Sequence, residues 1–110
     1  MKQREIWLAD LNPVKGSEQR GIRPVVVISG NSMNDHLAVG IVCPLSSVPK
    51  QYSGCLVLKH NSRNGLDCDS EIITFQIRTI ARERLVRKLG EITQEELAAV
   101  KSGLSEILTY

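Results

Sequence analysis

Arg23 stands before a proline at the head of an apolar run, Pro24-Val25-Val26-Val27-Ile28-Ser29, behind a polar stretch bounded by Gly16 and Gly21. The residue before a proline is pushed out of the helical region into extended geometry. Proline lacks an N–H and suits the first residue of a strand. A guanidinium is therefore held at the mouth of a stiff strand, with Glu18, Gln19 and Arg20 on the loop that leads to it. Its fork can donate two charge-assisted hydrogen bonds to phosphate oxygens, and it stays charged at any working pH. Such a group stabilises the negative charge that builds up in phosphoryl transfer. Ser46 and Ser47 follow the next apolar run, and Gln76, Arg78 and Thr79 form a third polar group. If a curved sheet brings the ends of the second and third strands together, Arg23 and Ser46 face one space. An arginine with hydroxyls fits a phosphodiester, and RNA carries its own nucleophile, the 2′-hydroxyl, so no metal is required. Taken singly, each group has a plainer reading: a solvated arginine, the start of a loop, the surface of an edge strand.

The elements that must position these groups are short strands. Arg4 to Asp10 reads as the first, with Ile6 and Leu8 on one face and Trp7 and Ala9 on the other, ended by Asn12-Pro13. Pro24 to Ser29 is the second, and residues 30–36 have loop composition. Leu37 to Leu45 is a two-sided strand with a bulge expected at Gly40 and with Pro44 near its end. Cys55 to Lys59 is short, and Asn64-Gly65 predicts a tight reversal with positive φ at both residues. Ser70 to Ile80 reads as one β-branched strand, Arg84 to Lys88 as strand or turn, and Gly90 as a break. Thr93 with Glu96 is a capping box, and Leu97, Val100, Leu104, Ile107 and Leu108 recur at helical spacing behind it. The pattern predicts a mainly β fold, a small, strongly curved antiparallel sheet or barrel closed by a C-terminal helix.

Composition narrows the function classes. The 110 residues form one domain over 1–110, and a net charge of +2, from 14 Lys and Arg against 12 Asp and Glu, permits a local positive patch but no polybasic arm. The basic run Arg78, Arg82, Arg84, Arg87 and Lys88 reads as a solvated face. Cys43, Cys55 and Cys68 have no CxxC spacing, and His36 and His60 stand apart, so neither a metal site nor a cofactor is expected. No nucleophile elbow, phosphate-binding glycine loop, dinucleotide fingerprint or HExxH is present. No apolar run approaches a membrane span, which predicts a soluble, reduced, cytoplasmic protein.

Three separated stretches carry a resemblance to a known family. The run Gly16-Ser17-Glu18-Gln19 followed by Gly21-Ile22-Arg23-Pro24-Val25-Val26-Val27-Ile28-Ser29 resembles the signature loop of the MazF/PemK toxins, the ribonuclease members of type II toxin–antitoxin pairs. Glu5 to Pro13 is similar to the family's opening, and Asp69-Ser70 with Gln76-Ile77-Arg78-Thr79-Ile80 to its third motif. The resemblance implies an SH3-like barrel with a C-terminal helix that works as a homodimer. It also implies metal-independent, sequence-specific cleavage of single-stranded RNA by 2′-hydroxyl attack, and a cognate antitoxin, expected to be acidic, that covers the site.

Carried over by residue, the family's active-site arginine falls on Arg23 and its loop carboxylate on Glu18. The family's hydroxyl, usually threonine, falls on Ser46, which keeps the oxygen but not the methyl that restricts its rotamers. Gln19, Arg20, Ser47, Gln76, Arg78 and Thr79 are then candidates for substrate contact. Some members place an Arg-x-Asp pair immediately before the third-motif glutamine. Here Ile73-Thr74-Phe75 stands in its place, which leaves Glu18 as the candidate base. Two other functions stay open: a binding-only toxin of the same fold acting on DNA gyrase, and an RNA-binding member that has lost catalysis. The Gly-x-Arg-Pro loop with Ser46 favours the nuclease, since a gyrase binder has no need of a phosphate-gripping arginine.

Overall fold

The structure, a computed structural model, describes residues 1–12, 16, 18 and 21–110. Seven antiparallel strands are present among the described residues: β1 (Glu5–Asp10), β2 (Ile22–Val27), β3 (Val39–Ser46), β4 (Leu56–Leu58), β5 (Ser70–Ile72), β6 (Arg78–Ala81) and β7 (Leu85–Glu91). A short helix, α1 (Asn31–His36), joins β2 to β3, and α2 (Gln94–Thr109) ends the chain. The sheet runs β4-β5-β3-β2-β1-β7, with β6 also paired to β3. It curls into the half-barrel expected of a mainly β fold with a C-terminal helix.

The curl gives the sheet two apolar faces, and β2 supplies both. Val26 packs with Ile6, Cys43, Leu45, Ile72 and, from α2, Leu97 and Val100. Its neighbours Val25 and Val27 point the other way, to Ala9, Leu11, Val42 and Ile80. A strand buried on both faces has to be apolar at every position, which is why residues 25–27 show no polar alternation. Each such side chain removed from water contributes about 1.5–3 kcal/mol. The split of Ile6 from Trp7 and Ala9 across β1 follows the predicted alternation. The capping box also forms: Thr93 Oγ1 accepts from the Glu96 amide at 3.0 Å, and Glu96 Oε1 accepts from the Thr93 amide at 2.8 Å. Leu108, 83 % exposed, falls off the packed stripe that Leu97 and Val100 begin.

Several local expectations give way to tertiary constraints. Residues 31–36 are helical, held by the buried Asn34, whose side chain bonds Ser29 and Asn31. Gly40 pairs in register with Ile80 and makes no bulge, and an added Cβ would meet the Met1 sulfur at 2.6 Å. Asn64 is absent from the positive-φ residues, and only Gly65 of that pair has φ of +67°. Gly90 does not break the chain but lies inside β7, where a Cβ would meet the Arg63 carbonyl at 2.2 Å.

The stretch from Ser70 to Ile80 is not one strand. β3 shares its outer edge between β6, along Val39–Val42, and β5, along Leu45–Ser46. Residues 73–77 therefore span a gap opposite only Cys43 and Pro44, and Thr74–Gln76 takes up the excess as a 3-10 turn. Pro44 sits where the partner changes, so its missing N–H leaves no ladder bond unmade, while its carbonyl accepts from the Ile73 amide at 2.9 Å.

The basic run of the last third is also more than a solvated face. Arg78 Nη1 donates to the Leu11 carbonyl at 3.2 Å, and Arg84 Nη1 to those of Asp10, at 3.1 Å, and Asn12. Arg82 donates to the Leu37 carbonyl at 3.1 Å and to that of Asn34. Lys88 pairs with Glu5 at 2.9 Å. No helix among the described residues is long and apolar enough to cross a membrane.

Candidate active site

Arg23 is the second residue of β2, exposed and paired across the ladder with Ala9 of β1. The ends of the loop before it are pinned together. The Leu11 amide donates to the Gly21 carbonyl at 3.0 Å, and the Gly21 amide to Asn12 Oδ1 at 3.1 Å. Gly21 has φ of +78°, a left-handed turn that glycine enters without a steric clash. The arginines bonded to the carbonyls of residues 10–12 hold this junction from the other side. Arg23 thus projects from a braced hairpin base, and a cation on a rigid element keeps its aim. Glu18 is exposed on the same loop. Gln19 and Arg20, with Lys15, lie outside the described residues.

Continued two places past its Val25–Pro44 pair, the β2–β3 register sets Arg23 opposite Ser46. The cavities divide the hydroxyls differently. Arg23 lines a cavity of about 270 Å³ together with Ser47 and Arg87, over a floor that includes Leu8, Leu45 and Leu89. Ser46 lines a second groove of about 300 Å³ with Lys50, Tyr52, Phe75 and Gln76. Ser46 is the last residue of β3 and Ser47 the first of the loop after it, and the turn out of the strand gives one serine to each space. The ladder itself stops at Val25–Pro44, so no pairing holds Ser46 against Arg23, and Ser47 is the serine that shares its cavity.

Of the third-motif candidates, Gln76 reaches the second groove. Arg78 is half-buried and bonded to the Leu11 carbonyl. Thr79, exposed and paired with Ile41, is on the opposite face of β6 from Arg78.

Two residues matter here that sequence reasoning passed over. Arg87 pairs with Leu8 on β1 and brings a second cation to the Arg23 cavity. Its signal was the alternation Leu85, Arg87, Leu89. Glu71 is fully buried, and its carboxylate accepts from the amides of Lys50, Gln51 and Tyr52 at 2.9, 3.2 and 2.8 Å. It clamps the loop that follows Ser46 and Ser47. A lone acid in the apolar sequence Ser70-Glu71-Ile72-Ile73 was the available sign.

The chemistry on offer is that of cations and hydroxyls. Burial pushes the Cys43 thiol up to about 12, with the nearby Cys55 adding to the effect, so it is no nucleophile at neutral pH. Among the described residues no three His, Cys, Asp or Glu side chains gather as metal ligands.

A family model described as PemK-like, MazF-like toxin of type II toxin–antitoxin system matches residues 2–108. The chain is 36 % identical over 105 residues to the Endoribonuclease MazF of Staphylococcus saprophyticus, covering 94 % of this chain and 88 % of that one. It is 37 % identical over 109 residues to Endoribonuclease MazF9 of Mycobacterium tuberculosis, with 94 % and 92 % covered. The crystal structure of MazF from Deinococcus radiodurans superposes with a TM-score of 0.82 at 25 % identity, covering 99 % of this chain and 96 % of that one. A family match that spans residues 2–108 establishes that the chain belongs to the PemK-like, MazF-like toxins of type II toxin–antitoxin systems.

Proposed function

We propose that the chain is an endoribonuclease that cuts single-stranded messenger RNA in the cytoplasm at short sequences, without a metal ion. The observation that carries this reading is Arg23, a permanent cation on a braced strand beside a cavity that also holds a hydroxyl and a second arginine. The relatives named as endoribonucleases support cleavage of RNA. In the proposed step the RNA 2′-oxygen attacks the adjacent phosphorus and the bond to the 5′-oxygen breaks. The products are a 2′,3′-cyclic phosphate and a 5′-hydroxyl. The 2′-hydroxyl proton passes to a base, for which Glu18 is the candidate, and the leaving oxygen takes up a proton. Arg23 stabilises the extra charge on the phosphoryl oxygens, and Ser46 or Ser47 donates to the same group.

The active unit is a homodimer, and a cognate acidic antitoxin neutralises it by covering the basic loop before Arg23 and the loop of residues 46–52. The test is incubation of purified protein with mixed-sequence RNA in EDTA, followed by analysis of the ends. Cyclic phosphate termini at a short consensus are expected. Intact RNA, or fragments with 3′-hydroxyl ends, would exclude this reaction.

A further inference from the structure

The second groove holds the feature that the cleavage chemistry leaves unused. The chain has four aromatic residues, and two of them, Tyr52 and Phe75, stand together on the surface, 43 % and 48 % exposed. Their ring centroids are 5.1 Å apart with planes at 88°, an edge-to-face pair that leaves ring surface turned to solvent. Neither ring belongs to a core cluster, so packing does not account for them.

Both walls of the groove are held. Glu71 clamps the loop that carries Lys50 and Tyr52, with Gln51 at φ of +58°. On the Phe75 side, the buried Thr74 donates its hydroxyl proton to the Gly54 carbonyl at 2.8 Å, and the Gln76 amide closes the 3-10 turn on Ile73 at 3.1 Å. Around the rings stand a cation, Lys50, and an amide that can both donate and accept, Gln76. Ser46 lines this groove and Ser47 the Arg23 cavity, so the two spaces adjoin at consecutive residues.

A rigid aromatic face with a hydrogen-bonding amide and a flanking cation is the equipment for holding one splayed-out base of a single strand. Resting on the ribonuclease reading above, we infer that this groove is a nucleobase pocket next to the scissile phosphate. The base stacks on Phe75, its polar edge meets the Gln76 amide, and Lys50 pairs with a neighbouring phosphate. The pocket would then help to set the cleavage sequence.

The test uses a 2′-O-methyl copy of a sequence the protein cuts, with an abasic residue moved along it one position at a time. Binding is measured by fluorescence anisotropy for the parent, Phe75→Ala and Phe75→Tyr, with circular dichroism and sedimentation as checks on fold and assembly. In the parent, removing the base at one position should weaken binding about 5- to 150-fold, the worth of one base–aromatic stack. In Phe75→Ala the same removal should cost about twofold or less, while Phe75→Tyr keeps the parent's pattern. If the parent cuts RNA but no position couples to Phe75, the pocket is overturned and the ribonuclease reading stands. If Phe75→Ala changes the assembly and leaves base dependence untouched, the rings belong to an interface between copies, which also overturns it. A parent that neither cuts nor binds RNA would remove the ribonuclease reading itself, and the pocket with it.

Discussion

Replacing Glu71 by glutamine tests whether one buried carboxylate organises the loop between the two cavities. The side chain is fully buried and takes three backbone N–H groups, at 2.9 and 3.2 Å on Oε1 and 2.8 Å on Oε2, with no ion pair to it among the described residues. Hydrogen bonds to a charged group contribute about 1.5–3 kcal/mol each. In Glu71→Gln the amide oxygen can keep the Lys50 and Gln51 amides as neutral bonds. The Tyr52 amide then faces an NH₂ group that cannot accept. One charge-assisted bond is lost and two are weakened, offset in part because no charge has to be desolvated. The expected net cost is about 2–3 kcal/mol, which for a domain of this size lowers Tm by about 10 °C or more. Urea and thermal unfolding measure the total, and amide exchange at Tyr52 localises it, since that N–H should lose most of its protection. RNA affinity should fall as well, because the same loop carries Lys50 and Tyr52 into the second groove. A variant within about 0.5 kcal/mol of the parent, with Tyr52 exchange unchanged, would show that the three bonds do not hold the loop.

Four other outcomes are expected. Arg23→Ala should fold normally and lose most RNA cleavage, and Arg23→Lys should also be poor because a point charge does not replace the fork; an alanine variant that cleaves like the parent would remove Arg23 from the reaction. Whichever serine donates to the phosphate should cost about 1–3 kcal/mol of transition-state stabilisation as its alanine variant, so comparing kcat/KM for Ser46→Ala and Ser47→Ala decides between the continued register and the cavity lining, and equal small losses would exclude both. Iodoacetamide at pH 8 should label the exposed Cys68 first and Cys43 only on unfolding, since burial holds the Cys43 thiol near 12 against an ordinary 9.0; early labelling of Cys43 in the folded protein would contradict that burial. Burial alone would raise the Glu5 carboxyl, but hydrogen bonds from Lys88, the Lys2 amide and Trp7 outweigh it and hold the group below 4.5. Its stabilisation is therefore complete above the unfolded value and lost as pH falls through the folded one, so the stability gap between the parent and Glu5→Gln should shrink below about pH 4.5; a gap constant from pH 6 to 3 would refute it.

What could be read directly from the chain was whatever its own neighbours decide. The Thr93–Glu96 cap closes within four residues, so the two residue types alone determine it. Pro24 sets the extended geometry of Arg23 from the adjacent position, and β2 begins at Ile22, two residues earlier than the apolar run suggests. The misplacements have the opposite character. Whether residues 70–80 form one strand depends on how β3, distant in sequence, shares its outer edge between two partners. Gly90 reads as a break because glycine usually punctuates a chain, yet it is required inside β7 by the Arg63 carbonyl lying against it.

The site shows the same division. Arg23 was legible because a local constraint aims it. Arg87 and Glu71 were not, because Arg87 gains meaning only from its pairing with Leu8, and Glu71 only from the loop that folds over it. The two serines are the sharpest case. Residue type cannot separate Ser46 from Ser47, and the ladder ends before it reaches either's partner on β2. Their division between two cavities follows from where β3 stops and the Glu71-held loop begins. A one-residue shift of that stop would exchange the hydroxyl offered to Arg23 for the one offered to Phe75. The clamp on Lys50, Gln51 and Tyr52 is therefore part of what assigns each serine its place, and loosening it should blur the difference between the two alanine variants.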